Sequence, residues 1–98
     1  MMEFRFLPAA ETELQAQVLH YGQEVEGLDR EFFDEIGSAI AFIRRNPVAS
    51  PERPHPFRCK PLSHFPCNIF YTVEPAFILI VAVAHQSRKP GYWLGRIR

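Results

Sequence analysis

The sequence lacks a long apolar run, an export signal and a net charge. Its longest apolar stretch, residues 76–84, has nine residues, and a helix that crosses a membrane needs about 20. The first five residues, MMEFR, do not show the basic start and apolar run of a secretory signal peptide. We therefore expect a cytoplasmic protein with no membrane partner.

Cysteine is also scarce, with only Cys59 and Cys67 present. Disulfides are rare in cytoplasmic proteins, so we expect both residues to act as small buried hydrophobic side chains. With His55 and His64 they place four zinc-type ligands within 13 residues. This spacing matches no standard zinc finger, and the strand alternation around Cys67 would bury its thiol. We therefore expect no metal site and no cofactor.

The zero net charge conceals an uneven distribution along the chain. Residues 1–36 contain nine acidic side chains and two arginines, a balance of −7, whereas residues 37–98 have a balance of +7. Such a division indicates that the C-terminal half faces a nucleic acid or an acidic protein. The alternative is that the two halves face each other within the fold, and charge alone does not separate these interpretations.

The N-terminal half is typical of a strand followed by two helices. The chain length of 98 residues corresponds to one domain, residues 1–98, with one core. Residues 3–7 alternate charged and apolar side chains, which predicts a strand. Pro8 suits the first turn of a helix that ends near residues 23–26 before Gly27, and Asp29 is a candidate N-cap for a second helix that Asn46-Pro47 stops. The short connection between the helices predicts an antiparallel hairpin.

The C-terminal half is typical of strands. A proline-rich connection, residues 47–61, contains a short candidate strand near residues 57–60. Residues 67–73 alternate in the manner of a strand, and residues 77–83 are apolar on both faces, which favours a central position in a sheet. The predicted fold is α+β, with the order β-α-α-β-β-β, in which a helical hairpin packs on a sheet that ends in a three-stranded antiparallel meander.

Three stretches resemble the RelE/ParE superfamily of toxins, specifically its ParE-like or plasmid stabilisation branch. They are FLPAAETEL at residues 6–14, RCKPL with FPCNIFY at residues 58–62 and 65–71, and AVAHQSRKPGYW at residues 82–93. The third stretch is the most specific. The resemblance implies the toxin of a type II toxin–antitoxin pair, neutralised by a cognate antitoxin from a neighbouring gene. It also allows a toxin–antitoxin complex of higher order.

The resemblance offers two targets. ParE-like members are linked to poisoning of DNA gyrase, whereas RelE-like members cleave mRNA on the ribosome with basic side chains and a tyrosine. Tyr92 falls on the tyrosine position, but Asn68 and Gln86 stand where the nucleases carry arginines. Losing two cations would remove transition-state stabilisation, which makes the nuclease the second choice. The resemblance to the ParE-like branch implies a non-enzymatic inhibitor of gyrase. The alternatives are a ribosome-dependent endoribonuclease and an inactive homologue that only binds the antitoxin.

Candidate site residues are the cations and aromatic side chains of the C-terminal half. If the protein is a nuclease, the catalytic set would be His85, Arg88 and Tyr92. The candidates for binding the target or the antitoxin are Arg58, Lys60, His85, Arg88, Lys89, Tyr92, Trp93 and Arg96.

Several of these residues have an equally plain structural explanation. Tyr92 and Trp93 are either exposed anchors for a partner or base, or a lid over the open end of the sheet, which we favour for Trp93. His85 is either a functional residue or a histidine bonded to backbone at a strand end. The terminal cations Arg96 and Arg98 are also consistent with having no fixed role.

Overall fold

The structure, a computed structural model, describes residues 1–97, so Arg98 lies outside the described residues. The elements are β1 (Glu3–Phe6), α1 (Pro8–Glu24), α2 (Leu28–Arg45), β2 (Arg58–Pro61), β3 (Cys67–Val73), β4 (Phe77–His85) and a 3₁₀ turn (Leu94–Arg96). The predicted α+β class and the order β-α-α-β-β-β are confirmed. Within residues 1–97, none of the helices combines the length and the apolar character needed to cross a membrane.

The two helices form the predicted hairpin, with Pro8 in the first turn of α1. Gly27 joins them with φ +85°, a left-handed conformation that glycine adopts without a steric penalty. Because the chain turns so sharply there, α2 begins at Leu28. The prediction that Asp29 is the N-cap is therefore wrong, and Asp29 lies in the first turn of α2 instead.

The four strands form one sheet in the order β1-β4-β3-β2. The predicted antiparallel meander of β2, β3 and β4 is confirmed. β1 adds to it as a parallel neighbour of β4, and side-chain alternation within one strand cannot reveal this direction. β4 is consequently a central strand, as its two apolar faces predict.

A hydrophobic core covers each face of the sheet. The larger core lies between the sheet and the helical hairpin, where Phe32 and Tyr21 contact Phe65. The smaller core lies on the opposite face of the sheet and contains the buried residues Phe57, Val81, Ala82, Ala84 and Trp93. The C-terminal segment, residues 86–97, therefore returns over the face that the helices leave uncovered.

Candidate functional site

The C-terminal half of β4 extends beyond its parallel neighbour. β1 pairs only with residues from Phe77 to Ile80. In the register with β3, Phe70 faces Ala82 and Tyr71 faces Ile80, so Val81 is the extra residue of a bulge. A bulge turns backbone groups out of the ladder, and such groups need other hydrogen-bond partners.

Glu13 of α1 and Arg96 of the C-terminal segment are those partners. Glu13 Oε1 accepts a hydrogen bond from the Val83 N–H at 3.0 Å, and Arg96 Nη1 donates to the Val81 carbonyl at 2.9 Å. The two side chains also pair with each other, since Arg96 Nη1 lies 3.0 Å from Glu13 Oε1 and Arg96 Nη2 lies 2.8 Å from Oε2. The Tyr92 hydroxyl donates to Glu13 Oε2 at 2.5 Å.

The contacts among Glu13, Tyr92 and Arg96 shift the pKa of each of these three side chains. Burial by itself would raise the pKa of Glu13, but hydrogen bonds from Arg96, Tyr92 and the Val83 N–H, with the charge of Arg96, hold that pKa below its usual range. Burial and the Glu13 carboxylate together raise the pKa of Tyr92 to about 12. The hydrogen bond to Glu13 raises the pKa of Arg96 further. Tyr92 is therefore a neutral phenol and Arg96 a paired cation at neutral pH.

Arg88 and Lys89 present their charges to solvent beside this cluster. The side chain of Arg88 is 54% exposed, with Nη1 3.8 Å from Glu13 Oε2. Its guanidinium lies 3.9 Å from the centre of the Tyr92 ring, a cation–π contact. Arg88 and Lys89 line a cavity of about 270 Å³ with His85 and Asn68. We call Arg88 and Lys89 the cationic patch.

His85 has a defined tautomer at the end of β4. Its Nδ1 accepts the backbone N–H of Ser87 at 3.0 Å. Because a backbone N–H can only donate, Nδ1 carries no proton, and in the neutral ring the proton is on Nε2. The structure agrees with the interpretation of His85 as a histidine bonded to backbone at a strand end, and His85 also lines the cavity.

Trp93 belongs to the core of the sheet face. It is 5% exposed, stacks on Phe70 with ring centres 4.0 Å apart and meets Phe57 edge-on at 4.8 Å. A ring so enclosed offers little surface to a base or a partner protein. The structure therefore has Trp93 as the lid over the open face rather than as an exposed anchor.

Arg58 and Lys60 lie in β2 and do not line the cavity beside the cationic patch. Arg58 donates to the Ser50 carbonyl and lies 3.7 Å from a Glu52 oxygen, with 15% of its side chain exposed. It therefore holds the proline-rich connection in place. Lys60 covers the Phe42 ring at 4.5 Å and lines a separate cleft of about 630 Å³ against α2.

The four zinc-type ligands are not brought together. Cys67 is buried in the larger core and Cys59 is half-buried, both as free thiols. His55 binds Glu52 at 2.8 Å and His64 binds Glu35 at 3.0 Å. Among residues 1–97, no group of three or more His, Cys, Asp or Glu side chains is arranged to hold a metal ion.

Glu13 is the site residue that sequence reasoning missed. An acidic side chain near the N-terminus of a helix is common, so this glutamate carries no further signal in the sequence. Its contacts with Arg96 and Arg88, and the Glu35–His64 pair, also show that the acidic and basic halves partly face each other.

Comparison with known proteins relates this architecture to one family. A family described as "ParE toxin of type II toxin-antitoxin system, parDE" matches residues 4–90. The solved structure "Chromosomal ParDE TA system from P. aeruginosa" is similar in fold, with a TM-score of 0.68 and 20% sequence identity over 87% of this chain and 96% of that one. No curated relative matches the chain. Because the family match spans both helices and all four strands, the chain belongs to the ParE toxin family of type II toxin–antitoxin systems.

Proposed function

We propose that residues 1–98 act as a single toxin domain that inhibits DNA gyrase by binding it, and that a cognate antitoxin neutralises it in the cytoplasm. The observation that carries this proposal is the match to the ParE toxin family over residues 4–90. ParE-like members of the superfamily are linked to gyrase poisoning, whereas ribosome-dependent RNA cleavage belongs to its RelE-like members.

The state of Tyr92 supports binding over catalysis. Cleavage of RNA without a metal needs a base for the 2′-hydroxyl, an acid for the leaving oxygen and cations for the phosphorane. The Tyr92 hydroxyl is already donated to Glu13, and its pKa of about 12 is far from the neutral range in which general bases work best. Arg96 is held by the same carboxylate. Of the other two nuclease candidates, Arg88 is exposed and His85 is half-buried, and both line the same cavity.

The cationic patch is the surface that we assign to the target. Arg88 and Lys89 are exposed side by side at the end of β4, where the Tyr92 ring and Glu13 limit the freedom of Arg88. Paired cations at an accessible edge favour an acidic partner and accelerate its association. The same patch suits an acidic segment of the antitoxin, whose binding would then exclude the target.

A supercoiling assay with purified gyrase tests the target. We expect the chain to inhibit supercoiling and the double variant Arg88→Ala/Lys89→Ala to need a concentration about tenfold higher or more. Arg45→Ala is the matched control, because it removes an exposed cation from the last turn of α2. We expect it to stay within about threefold of the wild type.

Expression of the chain alone in bacteria separates the three functions. Growth arrest with broken DNA and intact mRNA supports gyrase inhibition. Arrest with mRNA cleaved on the ribosome and intact DNA would overturn the proposal in favour of the endoribonuclease. Undisturbed growth at full expression would leave the inactive antitoxin partner.

A further inference from the structure

Glu13 is the point at which the C-terminal segment joins the helical hairpin. Its carboxylate, with a side chain 12% exposed, accepts hydrogen bonds from Tyr92 and Arg96 and lies 3.8 Å from Arg88. These three residues are distant from it in the chain, between 75 and 83 positions further along. One side chain of α1 therefore contacts residues at the beginning, the middle and the end of the segment.

The Glu13–Arg96 pair also provides hydrogen-bond partners for the part of β4 that has no neighbouring strand on the β1 side. Beyond Ile80, β4 has no strand on the β1 side within residues 1–97. Glu13 accepts a hydrogen bond from the Val83 N–H, and Arg96 donates one to the Val81 carbonyl. Unpaired groups at a sheet edge are exposed to wrong pairing unless something covers them. The Glu13–Arg96 ion pair thus provides hydrogen-bond partners for these two backbone groups. The same two side chains also attach the C-terminal segment to α1.

The segment has little regular structure of its own with which to hold the cations. Its backbone forms hydrogen-bonded turns, in one of which the Arg88 N–H donates to the His85 carbonyl at 3.0 Å, and a 3₁₀ turn at Leu94–Arg96; these bonds hold the backbone and not the Arg88 side chain. The guanidinium of Arg88 lies over the Tyr92 ring at 3.9 Å, and the Tyr92 hydroxyl is bound to Glu13. The position of Arg88 thus depends on Glu13 directly and through Tyr92.

We propose that Glu13 is a positioning residue of the toxin, which orients Arg88 toward the target by contacting it and by fixing Tyr92 and Arg96. This inference rests on the proposed function in one respect, because it takes the cationic patch as the surface that meets the target. Glu13 does not itself touch the target, since the C-terminal segment covers it.

A double-mutant cycle between Glu13 and Arg88 tests the proposal. Glu13→Gln keeps the side-chain shape and an oxygen for the Val83 N–H but loses the charge that pairs with Arg96. We expect Glu13→Gln and Arg88→Ala each to raise the concentration for half-inhibition of gyrase about tenfold. Because both act through the same cation, the double variant should be less than about threefold weaker than the weaker single variant.

Two controls distinguish positioning from a loss of stability. Glu11→Gln removes an exposed charge from the same helix and should leave inhibition unchanged. Ile36→Val thins the larger core and lowers the midpoint of thermal unfolding. All variants are assayed well below their unfolding midpoints, with the folded fraction measured by circular dichroism. If Glu13→Gln inhibits as well as Ile36→Val at equal folded fraction, or if the effects of Glu13→Gln and Arg88→Ala simply multiply, the proposal is overturned.

Failure of the gyrase target would remain distinguishable from failure of this inference. If the wild-type chain leaves gyrase uninhibited, the proposed target is wrong. Growth arrest by the same variants, expressed at equal levels, then provides the readout for the cycle. If growth arrest is weaker in both single variants and no weaker in the double variant than in the single variants, positioning by Glu13 on another target is supported. If Glu13→Gln arrests growth as strongly as the wild type, the inference is overturned.

Discussion

Replacement of Trp93 by alanine is expected to lower the free energy of unfolding by about 3–5 kcal/mol. A buried aromatic side chain removes about 150–250 Å² from water, which at about 25 cal/mol per Å² corresponds to about 4–6 kcal/mol. An extended reference chain overstates this burial by roughly 10–40%, and with that correction the value from buried area agrees with the loss of about 3–5 kcal/mol expected for the substitution. Because Trp93 stacks on Phe70 and contacts Phe57, its loss leaves a cavity on the sheet face opposite the helices.

Urea unfolding followed by far-ultraviolet circular dichroism measures this loss. Trp93 is the only tryptophan, so indole fluorescence follows the wild type but not the alanine variant. Lys89→Ala is the control from the same segment, and its exposed side chain should change stability by no more than about 0.5 kcal/mol. Trp93→Phe keeps a ring against Phe70 and should retain much of the stability. A loss below about 1 kcal/mol for Trp93→Ala, with weakened target binding in the folded variant, would refute the assignment of Trp93 to the core.

Three further predictions concern acid stability, a turn and a thiol. The folded-state pKa of Glu13 is lowered, so its contribution is complete above the unfolded value of about 4.3 and is lost as the pH falls through the folded value. Urea unfolding at pH 6 and pH 3 should therefore show a smaller loss on acidification for Glu13→Gln than for the wild type, and equal losses would contradict the ion pair. Gly27→Ala, at φ +85°, should lower stability by about 1 kcal/mol or more. Gly37 is exposed within α2 and has open space for an added Cβ, so Gly37→Ala should raise stability by about 0.5–1 kcal/mol. If thermal melts show both variants shifted in the same direction, this explanation is excluded. Burial raises the pKa of the Cys67 thiol to about 11, so iodoacetamide at pH 8 should label Cys67 far more slowly in the native protein than in urea. Equal rates would mean that β3 opens readily.

Most of the architecture was predictable because its signals are local. The residues that end the helices, Gly27 and Asn46-Pro47, and the alternation in β3 act on neighbours within a turn or a few pleats. The prediction of Asp29 as the N-cap of α2 was wrong because Gly27 itself is the N-cap, and α2 begins at the next residue. The parallel pairing of β1 with β4 was not predictable, because it joins segments more than 70 residues apart.

The candidate site was predictable only as a set of cations and aromatic residues. The C-terminal half contains the exposed cations Arg88 and Lys89, but Arg96 is a cation too and is bound to Glu13, as the Tyr92 hydroxyl is. What separates them is Glu13, whose position opposite the segment follows from how α1 packs on β4. The contacts of Arg58 with Ser50 and Glu52 across the proline-rich connection also depend on the tertiary structure.

The sequence by itself determined the order of helices and strands, the central place of the apolar strand β4 and the resemblance to the RelE/ParE superfamily. Periodicity, turn residues and short motifs carry that information, and each acts within a few residues. Only the tertiary structure decided which charges are available to a partner. A cation is neutralised or exposed according to what lies within about 4 Å of it, and for Arg96 that neighbour is a glutamate 83 residues away in the chain.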